Sequence, residues 1–299
     1  MLPYARWMAR YIHSFVALAL LVVAGLLLAP APTSARDILF IGNSFTFGAG
    51  SPVERWRPDS VTDLNGEGIG GVPALFRAFA EQAGLDWTVS LETSPGKDLA
   101  FHYDTRRGVI DRRWDAVILQ GYSTLDAQKP GDPTRHAAAA AKLAALFRAR
   151  NPDVRIDLVS TWSRADLTYR PGSRWSGKPI AAMAEDLAAG NAVALRVAPA
   201  IRGAIPVGRA WNRAMAKGIA DSNPYDGIDP GKVDLWADDR YHGSTAGYYL
   251  EALTIFGQVT GHDVRKLGRD ERAARELGLS GDTAVALQRV AWETLRARR

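Results

Sequence analysis

Residues 37–46 read DILFIGNSFT. Ile38, Leu39, Phe40 and Ile41 form an unbroken apolar run, and Gly42 closes it ahead of Asn43 and Ser44. A short apolar run bounded by turn residues reads as a buried strand that runs straight into a tight turn. In an open α/β sheet, ligands and chemistry collect outside the carboxyl ends of the strands. The Ser44 hydroxyl is therefore a candidate nucleophile. Taken alone, a Gly-x-Ser reads more readily as a turn residue or helix cap.

Working outward, apolar strands alternate with helical stretches. Strands are expected at Ile38–Ile41, Trp87–Leu91, Ala116–Leu119, Ile156–Ser160 and Ile205–Val207. Helical spacing marks Val72–Ala83, Leu99–Asp111, Thr134–Arg150, Pro179–Val197, Gly208–Asp221 and Ser244–Gly261. Thr134–Arg150 is the clearest, with an alanine run followed by Leu143, Leu146 and Phe147, and Asn151-Pro152 stops it. Such alternation predicts an α/β fold, a three-layer α/β/α sandwich around a five-stranded, mostly parallel sheet. Residues 49–71 and 164–178 break the pattern as long loops, read either as walls of a substrate cleft or as surface insertions. The tail 265–299 carries an amphipathic helix around Ala284–Arg298, with Leu287, Val290, Ala291 and Leu295 on one face.

The chain has 299 residues, 47 % of them hydrophobic, and no cysteine. That is enough for one sizeable core, and residues 36–299 are expected to form a single domain. Arg6 and Arg10 precede a run from Phe15 to Leu28, and APAPTSA follows at 29–35. This is the pattern of an export signal over residues 1–35, so a secreted or periplasmic location is expected; an uncleaved anchor is the alternative. Without cysteine there can be no disulfide and no lipoprotein anchor. Outside the signal, 35 basic and 32 acidic residues remain, a net charge of +3. The arginines are scattered among acids with no basic, aromatic-interleaved block, so a nucleic-acid partner is not expected.

A serine hydroxyl needs a neighbouring base, and the base needs a carboxylate to hold its tautomer. Asp239-Arg240-Tyr241-His242 supplies both on one late loop. Asp238 is an equally acidic neighbour, and the three-residue spacing favours Asp239. The oxyanion formed on attack needs donors already aimed at it. The Ser44 N–H is one candidate. Gly96, in the turn Ser94-Pro95-Gly96-Lys97, is a second, and the side-chain amide of Gln120, at the end of the third strand, is a third. Trp162 and Arg164 follow the fourth strand at the same edge and are candidate substrate contacts; the alternative for Trp162 is a core position.

Taken together, these residues resemble the SGNH (GDSL-like) hydrolase superfamily over most of residues 37–262. Gly42-Asn43-Ser44 is similar to the first block, with Asn43 where many members carry aspartate. Gly96 falls at the oxyanion glycine of the second block, and Asp239 and His242 match the D-x-x-H of the last. The third block departs: Gly-x-Asn-Asp is replaced by Leu119-Gln120-Gly121-Tyr122-Ser123. Gln120-Gly121 resembles the Gln-Gly-Glu segment of sialate and xylan O-acetylesterases, in which glutamine takes the donor role.

The resemblance implies a flavodoxin-like fold and a serine esterase with Ser44 as nucleophile, His242 as base and Asp239 as its orienting acid. Ser44 N–H, Gly96 and Gln120 would form the oxyanion hole. The implied substrate is an acyl, most simply O-acetyl, ester on carbohydrate, attacked through an acyl-enzyme. An acyltransferase with the same triad and a non-catalytic carbohydrate-binding protein are the alternatives. His102, His136 and His262 form no metal-ligand spacing, and Gly66–Gly71 follows no strand, so neither a metal nor a cofactor is expected.

Overall fold

The apolar run of residues 38–41 becomes a strand with a partner on either side, and its neighbours fix where everything else lies. The computed structural model describes residues 35–297; the expected export signal lies, apart from Ala35, outside them. In chain order the elements are β1 (Arg36–Gly42), α1 (Ser44–Phe47), β2 (Thr62–Asp63), α2 (Gly71–Gln82), β3 (Trp87–Thr93), α3 (Leu99–Thr105), α4 (Arg107–Ile110), β4 (Ala116–Leu119), α5 (Thr134–Arg150), β5 (Arg155–Val159), α6 (Ala165–Tyr169), α7 (Ala181–Val197), β6 (Gly203–Ile205), α8 (Val207–Ala216), α9 (Thr245–Thr260), α10 (Arg272–Glu276) and α11 (Gly281–Arg296). The described residues from Arg36 onward form one compact unit.

The sheet runs in the order β2-β3-β1-β4-β5-β6, and all five pairings are parallel. It has six strands rather than the expected five. The extra one, β2, is a two-residue strand inside the 49–71 loop that pairs Thr62 with Ser90 and Asp63 with Leu91. Two residues are too few to show a period of two. β6 also sits earlier than expected, because Pro206 has no N–H to donate and Val207 opens α8. The expected helix at Leu99–Asp111 divides at Arg106 into α3 and α4.

Both faces of the sheet are buried. Ile38, Phe40, Val89, Leu91, Ala116 and Ile118 face a layer made by α2, α8, α9 and α11. Leu39, Ile41, Val117, Leu119, Ile156 and Leu158 face α3, α5 and α7. The two sets alternate along β1 and β4, as a period of two requires. The tail helix α11 joins the first layer through buried Leu287, Val290 and Ala291. The segment 164–178, expected as a long loop, carries the short helix α6 and is pinned by fully buried Trp175, whose Nε1 donates to Asp186 Oδ2 at 2.9 Å.

Registers align the carboxyl ends. Gly42 pairs with Thr93, Ile41 with Leu119, Leu119 with Leu158 and Val159 with Ile205. Ser44, the Ser94–Lys97 turn, Gln120 and Trp162 therefore leave the sheet along one edge. Beneath that edge lies His136 of α5. Its ring packs so closely under Gly121 that a Cβ there would lie 2.4 Å from His136 Nδ1. Its Nε2 donates to Asn191 Oδ1 at 3.0 Å, an amide whose own nitrogen donates to Leu187 O at 3.1 Å.

Burial pushes the His136 pKa below the ordinary imidazole value, against the raising effect of the Asn191 bond. The unfolded chain takes up a proton near pH ~6.5 that the folded ring refuses. Stability from this site is thus fully present above that pH and falls as pH drops toward the folded pKa. Urea unfolding of wild type and His136→Gln at pH 7.5 and pH 5 checks this: the wild-type advantage should shrink at pH 5. An advantage that holds or grows would show that the ring is not kept neutral.

Candidate active site

Ser44 is the first residue of α1, so its N–H is one of the donors that a helix start leaves unsatisfied. Among the described residues no protein acceptor meets this N–H. Asn43 caps the helix by accepting from Phe45 N–H at 3.2 Å. That contact fixes which way its amide points. Both Asn43 Nδ2 protons then bridge two strand ends, donating to Lys97 O at 2.9 Å and to Gly121 O at 3.2 Å. An aspartate could not donate to either carbonyl, which accounts for asparagine here. Ser94 N–H also donates to Gly42 O at 3.0 Å. The Ser94–Lys97 turn is thereby tied to the serine turn at two points. Gly96 occupies its third position at φ +66°, the left-handed value that a Pro-Gly turn of type II requires. Its N–H likewise meets no protein acceptor among the described residues.

Gln120 departs from its expected role. It is fully buried, and its Oε1 accepts from Asn43 N–H at 3.0 Å and from Thr46 Oγ1 at 3.0 Å. A backbone N–H can only donate, so the amide orientation is fixed. Its Nε2 donates to the neighbouring Gly121 carbonyl. The expected donor to the oxyanion is instead an acceptor that holds the serine turn from below. Gly42 fits this arrangement because a Cβ there would fall 2.1 Å from Thr46 Oγ1 and 2.7 Å from Gln120 Oε1.

The acid and imidazole meet as the spacing predicted. Asp239 Oδ1 accepts from Tyr241 N–H and His242 N–H, both at 2.9 Å, while Oδ2 receives His242 Nδ1 at 2.6 Å. Burial pushes the Asp239 pKa up, but the hydrogen bonds from the His242 ring and from the two backbone N–H groups outweigh it, and the net shift is downward. The carboxylate therefore stays ionised and holds the proton on Nδ1. Among the described residues His242 Nε2 is buried without a protein partner. Asp238 is exposed and makes no such bond. The loop is a small hairpin, closed by Ala237 N–H to His242 O at 2.8 Å and by an antiparallel bridge between Trp236 and Gly243. Arg240 sits in it at φ +60°, a conformation costing ~1 kcal/mol for a non-glycine residue. Arg240 Nη1 to Asp234 Oδ2 at 2.6 Å and Asp166 N–H to Arg240 O at 3.2 Å hold it there.

Serine and histidine segments lie side by side. The ring of Phe45, next to Ser44, stands 5.8 Å from the His242 ring and 5.4 Å from Tyr241. A Cβ on Gly50, just past α1, would be 3.7 Å from His242 Cβ. Trp162 and Arg164, expected at the substrate, are placed otherwise. Trp162 has no exposed surface, so it cannot lie along a sugar; it packs on Phe45 at 4.2 Å. Arg164 is neutralised by a two-point pair with Asp166, at 3.1 and 2.6 Å, and its guanidinium lies 3.7 Å over the Tyr241 ring. Both brace the histidine loop. Tyr248, which carried no signal in the sequence beyond its place in an apolar helix, donates to Ala49 O at 3.0 Å and Ser44 O at 3.3 Å.

A glutamine that accepts, rather than donates, makes a distinct prediction. Gln120→Ala orphans the buried Asn43 N–H and leaves a void, so it should cost ~2–4 kcal/mol of stability. Asn43→Asp should destabilise similarly, because its carboxylate would face two carbonyls. Denaturant unfolding measures both; wild-type stability in Gln120→Ala would contradict the clamp.

No family model matches the chain, and no curated protein matches it. Solved structures do. A DUF4886 family protein from Bacteroides uniformis ATCC 8492 superposes with a TM-score of 0.61 at 18 % identity, over 89 % of this chain and 96 % of that one. A putative GDSL-like lipase from Parabacteroides merdae ATCC 43184 gives 0.52 at 17 % identity, over 78 % and 99 %. With its parallel six-stranded sheet between two helical layers, the chain has the fold of the SGNH (GDSL-like) hydrolases.

Proposed function

We propose that this chain is a serine esterase in which Ser44 attacks the ester carbonyl, His242 takes the serine proton and returns it to the leaving alcohol, and Asp239 holds the imidazole. The observation that carries this reading is the Asp239–His242 bond at 2.6 Å, which leaves Nε2 as an unpartnered acceptor beside the serine segment. An imidazole oriented in this way is the general base that a weak serine nucleophile requires. The oxyanion is received by the N–H groups of Ser44 and Gly96, which are without protein acceptors among the described residues. Gln120 serves the same reaction indirectly, by holding Asn43 and so the Ser44 N–H.

O-acetylated carbohydrate is the substrate class this reading takes first, on the sequence resemblance at Gln120-Gly121 alone; the acceptor role of Gln120 does not add to it, and Trp162 and Arg164 no longer argue for it. The N-terminal pattern of residues 1–35 supports an exported location for the enzyme.

A panel of acetyl and longer-acyl esters, on aryl and sugar alcohols, tests the activity, with product analysis to establish that the acyl group passes to water. Ser44→Ala should fold normally and lose ~10³-fold or more in kcat. A near-wild-type rate would remove Ser44 from the mechanism. Asp239→Asn should cost ~10³–10⁴-fold by leaving the imidazole in the wrong tautomer, and Asp238→Asn should cost almost nothing. The reverse order would mean that the wrong carboxylate has been assigned.

A further inference from the structure

Two buried aromatic side chains each reach from the serine segment to the histidine loop. Trp162 packs against Phe45, the residue after Ser44, with ring centroids 4.2 Å apart and planes tilted by 53°. Its Nε1 donates to the carbonyl of Tyr241, the residue before His242, at 3.2 Å. Tyr248 donates its hydroxyl to the carbonyls of Ser44 and Ala49, at 3.3 and 3.0 Å. Its ring lies under Gly243, the residue after His242, so closely that a Cβ there would meet three ring carbons at 3.3 Å. The residues on both sides of His242 are thus each tied to the serine segment through a buried aromatic side chain, and Tyr241 also meets the Phe45 ring directly at 5.4 Å.

Both braces are rigid. Trp162 stacks face to face on Trp211, with centroids 4.5 Å apart and planes 3° from parallel. Trp211 meets Trp236 edge-on at 5.3 Å, and Trp236 Nε1 donates to Ser163 O at 3.0 Å, closing the ring of contacts back to the Trp162 segment. Tyr248 lies in the first turns of α9, with no exposed surface. Burial first, and the nearby Glu251 second, hold its phenol well above the ordinary range, so it remains a donor. Neither side chain reaches solvent, and neither can touch substrate.

Resting on the triad reading above, we propose that Trp162 and Tyr248 are positioning residues that set the approach of His242 Nε2 to Ser44 Oγ, one from each side of the histidine. Proton transfer needs hydrogen-bond reach, and a misplacement of ~1 Å costs about a hundredfold. His242 itself is held by a strained hairpin whose internal bonds fix the ring against Asp239 but not against the serine. The distance between base and nucleophile is set by the two aromatic spans.

The test uses Tyr248→Phe, which removes one hydroxyl, and Trp162→Phe, which removes the Nε1 donor and part of the stack. Four quantities are measured: the second-order rate of phosphonate labelling at Ser44, kcat and KM per labelled site, and the melting temperature. Both variants should stay folded, label ~10–100-fold more slowly and lose kcat in proportion, with KM within about twofold of wild type. In a His242→Ala background, where no base remains to position, neither substitution should slow the residual labelling further. Wild-type labelling by folded Tyr248→Phe, or an equal loss in the His242→Ala background, would overturn the inference alone. A wild-type protein that takes no phosphonate at Ser44 would overturn the esterase reading and this inference with it. If Trp162→Phe does not fold, Tyr248→Phe decides.

Discussion

The hydrogen bond from Asn43 N–H to Gln120 Oε1, at 3.0 Å, fixes the point where β1 stops being a strand. Gln120 is the residue after β4, so the bond joins two neighbouring strand ends and turns the chain into α1 at Ser44. The same oxygen accepts from Thr46, inside α1, and Gly42 leaves room for it. The two Asn43 Nδ2 bonds then add the β3 turn and the Gly121 carbonyl. Three strand ends are thus locked by two side-chain amides: Asn43 uses its oxygen and both Nδ2 protons, and Gln120 accepts twice through Oε1 and donates to Gly121 O. Each is buried, where a lost partner costs the full desolvation of the group left behind. In this arrangement the amides serve to hold the serine turn. Among the described residues, the Ser44 and Gly96 N–H groups are left without a protein acceptor.

The histidine side of the site follows a different logic. It rests on a strained hairpin with Arg240 left-handed, on a carboxylate that receives three hydrogen bonds, and on aromatic contacts to the serine segment. The Phe45, Trp162 and Trp211 contacts contribute ~0.5–1.5 kcal/mol per aromatic pair beyond the area they bury.

Much of this was legible in the chain. Residues 38–41 gave β1 because an apolar run bounded by glycine leaves few other readings, and Asp239 was chosen over Asp238 on spacing alone, in agreement with the bonds it makes. What escaped depends on direction rather than identity. Gln120 was expected at the oxyanion because glutamine can donate; which end of an amide faces the serine turn is decided by a backbone N–H that sequence does not reveal. Trp162 and Arg164 stand at the substrate edge by register but turn inward, onto Phe45 and Tyr241, and register does not say which way a loop side chain points. Tyr248 was invisible because an aromatic at helical spacing looks like any core residue. β2 was missed because two residues have no period.

The most direct test is the crystal structure of the protein after reaction with an ester-like phosphonate. The account predicts a covalent bond to Ser44 Oγ and a phosphonyl oxygen within hydrogen-bond reach of the Ser44 and Gly96 N–H groups. Gln120 Oε1 should still accept from Asn43 N–H. A phosphonyl oxygen bound instead by Gln120 Nε2, with the Asn43 bond broken, or an adduct on any residue other than Ser44, would contradict it.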